Sequence, residues 1–315
     1  MRRVIHTAQA LIDAVVEIPH LPVRGGNVMA GSYTRYAGGA VTILLAAARS
    51  GAQAVHAGSV GTGPNGDLIR TTLAADAIAL SSPPVPDVDT GICFVMVESS
   101  AERTFVTTMG AERRVSTASL STSQPASGDL VCVSGYSLLE PTVSDLLPWL
   151  ESLDDVEIVL DPGAVFADLP DDVRTRALAV TTVWTSNAAE AEALAGVSDL
   201  ERAPARVAAH LRERAVAVVR DGERGCAVGV GGRSAVVPGF PQTPVDTNGA
   251  GDTHTGVLCA RAAAPDRPSR ELSHWVDAAR FANAAAAIKV TRRGPTTAPT
   301  AADVERFLEA SRGSR

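Results

Sequence analysis

Short apolar runs alternate with longer Ala/Leu-rich segments through most of this 315-residue chain, and that rhythm limits the possible folds most. Candidate buried strands are Val55–Val60, Leu130–Ser134, Glu157–Leu160, Thr181–Thr185 and Ala215–Arg220. Candidate helices are Thr42–Ser50, Asp67–Ala75, Pro141–Leu150, Ala188–Ala195, Pro204–Arg214, Asp252–Ala263 and Ser273–Val290. Short runs followed by helical patterns argue for βαβ units, hence an α/β fold with a doubly wound, mostly parallel sheet flanked by helices. The length allows one large domain or two smaller ones. An apolar content of 45% and a charged content of 20% fit a sizeable core rather than disorder.

Two regions break the rhythm. Residues 14–36 are strand-like and rich in Pro and Gly, and 91–109 read as a hairpin turning at Ser99-Ser100-Ala101-Glu102. A small β subdomain made of these two pieces would sit beside a core of residues 1–13, 37–90 and 110–315. No internal repeat is visible.

Charge and single residue types exclude several functions. A net charge of −7 disfavours sequence-independent nucleic-acid binding. Of 28 basic residues, only Lys289 is a lysine. It follows Ile288, so there is no lysine-bearing phosphate loop of the G-x-x-x-x-G-K type. Cys93, Cys132, Cys226 and Cys259 are widely spaced, and the histidines show no zinc-ligand spacing. No run is long and apolar enough for a membrane span, and the interrupted N-terminal run does not read as a secretory signal. A soluble, cytoplasmic protein without membrane or nucleic-acid partners is expected.

The stretch Asp246-Thr247-Asn248-Gly249-Ala250-Gly251-Asp252 carries the most chemistry. It enters a long helix, and its small residues let the backbone approach a ligand closely. The unpaired N–H groups of a helix start, aided by the helix dipole, favour an anion. Asp252 would sit in the first turn, where it would repel a phosphate. One justification is a base that takes a hydroxyl proton while the amides hold a transferring phosphoryl group. The plainer reading is an acidic residue stabilised by the dipole.

This stretch resembles the D-T-x-G-A-G-D signature of the ribokinase-like (PfkB) carbohydrate kinase family. Gly38-Gly39, Asp161-Pro162-Gly163, Asn187-Ala188-Ala189-Glu190 and Asn283 resemble further family motifs, in the family's order, across nearly the whole chain. The resemblance implies a ribokinase-like fold with a small β-sheet lid, and an ATP-dependent kinase that phosphorylates a hydroxymethyl group of a sugar or sugar acid. Asp252 would be the general base, and Gly249, Ala250 and Gly251 the anion hole. Asp13, Gly38, Gly39 and Thr42 would face the sugar, with Arg103 and Tyr136 as further candidates. Asn187, Glu190, Arg220, Gly222, Gly225 and Asn283 would lie along the ATP site, with Glu190 ordering Mg2+ through water. The family often binds a monovalent cation such as K+ beside the anion hole, which would place Asp246 near it. Family lids often pair between subunits, so a homodimer through the lid is expected.

Departures and rivals remain. Thr42 stands where the family usually has a sugar-binding asparagine, and a hydroxyl replaces an amide there. Asn187 and Glu190 also fit a plain helix-capping pair. A nucleoside kinase of the same fold is the alternative substrate class. Gly61-Thr62-Gly63-Pro64-Asn65-Gly66 matches the dinucleotide fingerprint, so an NAD-dependent dehydrogenase is a more distant reading. A non-catalytic sugar-binding regulator is another. Lys289 itself reads as a helix-end lysine favoured by the dipole.

Overall fold

A computed structural model describes residues 2–100, 102–197, 199–264 and 270–313. Ala101, in the expected hairpin turn, lies outside the described residues. The strands are β1 Arg3–His6, β2 Ala10–Ile18, β3 Ser32–Gly39, β4 Gln53–His56, β5 Ala79–Leu80, β6 Ile92–Glu98, β7 Arg103–Thr107, β8 Leu130–Ser134, β9 Glu157–Asp161, β10 Val183–Asn187, β11 Val216–Arg220, β12 Gly225–Val230 and β13 Arg233–Pro238. The helices are α1 Ala40–Arg49, α2 Pro64–Ala75, α3 Thr117–Ser121, α4 Val143–Glu151, α5 Asp171–Val180, α6 Ala188–Ala195, α7 Ala203–Ala208, α8 Ala250–Ala262, α9 Leu272–Val290 and α10 Ala301–Gly313.

Nine strands form the main sheet in the order β13-β12-β11-β10-β9-β8-β1-β4-β5. It is parallel from β11 to β5, and β12 and β13 close one edge as an antiparallel hairpin. Alternate residues of each strand enter different cores, as the two-residue period requires. Leu130 and Cys132 of β8 join α1, α8 and α9 on one face. Val131 and Val133 join α4, α6 and α7 on the other. Among the described residues, no helix is long and apolar enough to cross a membrane.

The second sheet has four strands in the order β3-β2-β6-β7. β2 pairs with β3 antiparallel and with β6 parallel, and β6 turns back onto β7. Its first two strands reach beyond residues 14–36. Ala10 already pairs with Gly39, because the apolar alternation of β2 starts there.

Several element boundaries differ from the sequence reading. The run at Val55–Val60 is a strand only from Gln53 to His56, and the Thr181–Thr185 run shifts to Val183–Asn187. The Pro204–Arg214 helix ends at Ala208. Helices α5 and α10 lie outside the candidate helices, because both are rich in charged residues. Asp13 lies within β2, opposite Tyr36 and Cys93.

Helices α1 and α8 approach closely because Gly256 has no side chain. A Cβ there would collide with the Ile43 carbonyl and lie 2.8 Å from Ala46 Cβ. Gly256→Val should therefore destabilise the fold by about 1–3 kcal/mol through overpacking. Urea unfolding followed by circular dichroism measures this, and an unchanged midpoint would contradict the close packing.

Candidate active site

Adjacent parallel strands bring their carboxyl ends together. β8, β9, β10 and β11 end at Ser134, Asp161, Asn187 and Arg220. α8 starts in front of these ends. Its N-cap, Gly249, has φ +77°, and a Cβ there would lie 2.8 Å from the Pro295 carbonyl and 3.1 Å from Thr42. Both the left-handed backbone and the lack of space demand glycine. The Ala250 amide donates to the Thr247 carbonyl at 3.2 Å. The amides of Gly249, Gly251 and Asp252 donate to no described residue, so they are the open part of the expected anion hole.

Asp252 lies in the first turn of α8 and lines a cavity of about 450 Å3 with Arg103, Phe105 and the 247–251 loop. Burial and then the charge of Asp161 push its carboxyl up to about 6, while Arg220 and Lys289 pull the other way. Asp13 is pushed up to about 7, first by burial and then by Asp252. Gly38 leaves room for it, since a Cβ at Gly38 would strike the Asp13 carboxylate. Gly39, with φ +60°, turns the chain from β3 into α1. The structure thus brings Asp13, Gly38 and Asp252 into one neighbourhood. Arg103 closes over it from the second sheet, where its guanidinium donates to Thr247 Oγ1 at 3.0 Å.

A second cavity of about 510 Å3 runs beyond the α8 N-terminus. Asn187, Arg220, Gly222, His254 and Asn283 line it, together with apolar Phe240. Asn187 and Glu190 make a reciprocal capping box at 2.8 and 2.9 Å. The plain capping pair is therefore present; Asn187 lines this cavity, whereas Glu190 lines a neighbouring one of about 250 Å3 beside Gly163 and Phe166. Burial, followed by the Asp161 charge, raises the Glu190 carboxyl. Arg220 is held by four hydrogen bonds, to Ser186 O, Gly251 O, Thr255 Oγ1 and Asp161 Oδ2. The Asn283 Oδ1 accepts from His254 Nε2 at 3.1 Å, and its side-chain amide donates to Val237 O.

Other expected residues are placed differently. Thr42 is fully buried in the first turn of α1, so its hydroxyl does not face the cavity. Gly225 does not line the nucleotide-sized cavity; with φ +98° it starts β12, where a Cβ would hit the Val237 carbonyl. Tyr136 is 43% exposed and its ring packs over Gly163. Asp246 is already committed. Its carboxylate accepts from the Asn248 and Gly294 amides at 2.8 Å, and its carbonyl accepts from Lys289 at 2.8 Å. Lys289 does sit in the last turn of α9, as the sequence suggests, but it is 0% exposed.

Phe105, His254 and the buried Lys289 are absent from the expected site residues. His254 carries a signal, two residues after Asp252, and so does Lys289, as the chain's sole lysine. The dinucleotide fingerprint has a different use. The Asn65 and Gly66 amides at the α2 N-terminus donate to Asp89 at 3.0 and 2.9 Å. Burial opposes the charge on Asp89, but these amides and that of Thr90 hold its carboxyl below the usual range. The anion place of that turn is filled by the chain itself.

The family model described as pfkB family carbohydrate kinase matches residues 3–302. An uncharacterized sugar kinase, YegV of Escherichia coli K12, is 32% identical over 294 residues, covering 92% of this chain and 89% of its own. Ribokinase from Giardia lamblia superposes with a TM-score of 0.84 at 21% identity, over 99% of this chain and 100% of that one. Arabidopsis thaliana ribokinase, solved with ribose and ATP, gives 0.79 at 22% identity over 98% and 99%.

The raised carboxyls predict a pH-dependent stability. The folded chain holds protons on Asp13 and Asp252 that the unfolded chain releases near pH 4, so both groups cost stability once ionised, and that cost fades as pH falls below about 6 to 7. Asp13→Asn should raise Tm at pH 8, with the gain shrinking towards pH 5. Thermal unfolding at both pH values checks this, and an equal or lower Tm at pH 8 would contradict it.

Proposed function

As the chain belongs to the pfkB family of carbohydrate kinases, we propose that it transfers the γ-phosphoryl group of Mg-ATP to a hydroxymethyl oxygen of a sugar or sugar acid, with Asp252 as general base. The observation that carries this reading is Asp252 itself. No described residue hydrogen-bonds its carboxylate, although it lies beside open amides at a helix start. A structural carboxylate would be satisfied by those amides. One left free is available for a substrate hydroxyl.

The two cavities suggest which substrate goes where. The larger, partly apolar one suits a nucleotide, and the one under Arg103 suits a small polar acceptor. The acceptor hydroxyl would be held between Asp13 and Asp252. Asp252 takes its proton as the oxygen attacks. The amides of Gly249, Gly251 and Asp252 stabilise charge on the transferring group. Arg220, fixed by its four acceptors, holds the α8 start against β9 and β10 rather than reaching out for phosphate.

The acidic residues present fit a divalent ion. Mg2+ binds through few carboxylates and keeps several waters. Asp161 and Glu190 sit close enough for each other's charge to be felt, and a cation there would relieve that repulsion. When bound it would neutralise charge on the phosphates.

The 32% identity to a sugar kinase of Escherichia coli over 92% of this chain favours a sugar acceptor over a nucleoside. The arginine over the acceptor cavity accommodates a sugar acid as well. Tyr33, Phe94 and Val106 leave apolar surface exposed on the second sheet, which supports a homodimer paired there. Light scattering should then give twice the chain mass, and a monomer at micromolar concentration would reject the pairing.

Asp252→Asn should fold and bind ATP while kcat drops roughly 10^2–10^4-fold. An ADP-release assay over sugars, sugar acids and nucleosides measures it, and near-normal turnover would reject Asp252 as the base. In the native enzyme kcat/KM should rise with pH through about 6, as Asp252 ionises.

A further inference from the structure

The last turn of α9 contains the chain's only lysine, and it is completely buried. A buried ammonium is costly unless an acceptor holds it. Its Nζ donates to the carbonyl of Asp246 at 2.8 Å. That carbonyl belongs to the loop that leads into the α8 N-terminus. The same loop is fastened twice more to the end of α9, since the Val245 and Asp246 amides both donate to the Val290 carbonyl, at 2.7 and 3.0 Å. The Asp246 carboxylate is spanned by the Asn248 and Gly294 amides. Both oxygens of the side chain and the main-chain oxygen therefore already have donors.

These residues do not fit the monovalent metal ion that the family resemblance led us to expect beside Asp246. An ion there would need the oxygens that the lysine and the two amides occupy. The positive charge is nevertheless present, and it is carried by the chain. Lys289 is within electrostatic reach of both Asp246 and Asp252. Arg103 on the second sheet is the opposing cation near it.

We propose that the Lys289 ammonium is a tethered monovalent cation behind the anion hole, so that this kinase needs no K+. Lys289 is a positioning residue in this scheme. It holds the Asp246 carbonyl, and through it the 246–249 turn that aims the open amides. A covalently attached charge is present at every turnover, whereas a free ion must bind from solution and stabilises only in proportion to its saturation.

The inference rests on the kinase reading for its activity arm alone. The experiment compares KCl with tetramethylammonium chloride at equal ionic strength, using wild-type protein, Lys289→Met and Lys289→Ala. Both ADP release with an accepted sugar and Tm without substrates are recorded. Wild-type kcat and Tm should not distinguish the two salts. Lys289→Met should lose roughly 10–100-fold in kcat, the usual cost of removing a group that orients a site. Lys289→Ala, which opens the ammonium's place, should gain both turnover and Tm in KCl over tetramethylammonium chloride.

Stimulation of the wild type by K+, a rise of its Tm in K+, or full turnover of Lys289→Met would each overturn the proposal. A merely structural lysine would leave Lys289→Ala without a K+-specific response, which overturns it too. If Lys289→Ala does not fold, the wild-type and Lys289→Met arms still decide. If no sugar is phosphorylated, the kinase reading fails, and the wild-type Tm comparison still reports on the cation.

Discussion

The contact between α1 and α8 sets the height at which the candidate site is built. Gly256 lies on the Ile43 carbonyl, and Gly249 is enclosed by Pro295 and Thr42. α1 begins at Gly39, directly after the β3 segment that makes room for Asp13. One helix pair thus fixes a group of the second sheet relative to a helix start of the main layer. The carboxylate on β2 and the amides of α8 are registered through the backbone, with no long side chain between them. Such rigid placement is what a site needs to keep reacting groups within a few tenths of an ångström.

Charge balance follows from that geometry. Asp13, Asp161, Glu190 and Asp252 gather around the α8 start, and burial makes Asp13, Glu190 and Asp252 harder to ionise. Arg220 is placed among them with acceptors on three elements, and Lys289 approaches from behind. Neither cation neutralises Asp252 outright, since its carboxyl still stands near 6. The result is a carboxylate that is ionised at neutral pH yet basic enough to accept a proton.

The layered fold was legible because buried parallel strands announce themselves as unbroken apolar runs. Leu130–Ser134 was read to the residue, as was the helix Ala188–Ala195 with its capping pair. Other features were set by tertiary contacts that no local pattern encodes. Nothing near Thr42 signals that Gly249 will cover it. Lys289 reads locally as a charge at a helix end, and only the returning 244–249 loop buries it. The β12–β13 hairpin did carry a signal, a Gly231-Gly232 pair between apolar runs, of the kind that favours tight turns.

The Asp89 carboxylate on the α2 N-terminus has a consequence for ligand traffic. Glycine-bearing turns lead into both α2 and α8, and each of these helix starts attracts an anion. By plugging one of them with its own side chain, the protein removes a decoy. The α2 amides are taken by Asp89, while amides at the α8 start stay open for a phosphate. Selectivity here comes from what is already occupied, as well as from what is left open.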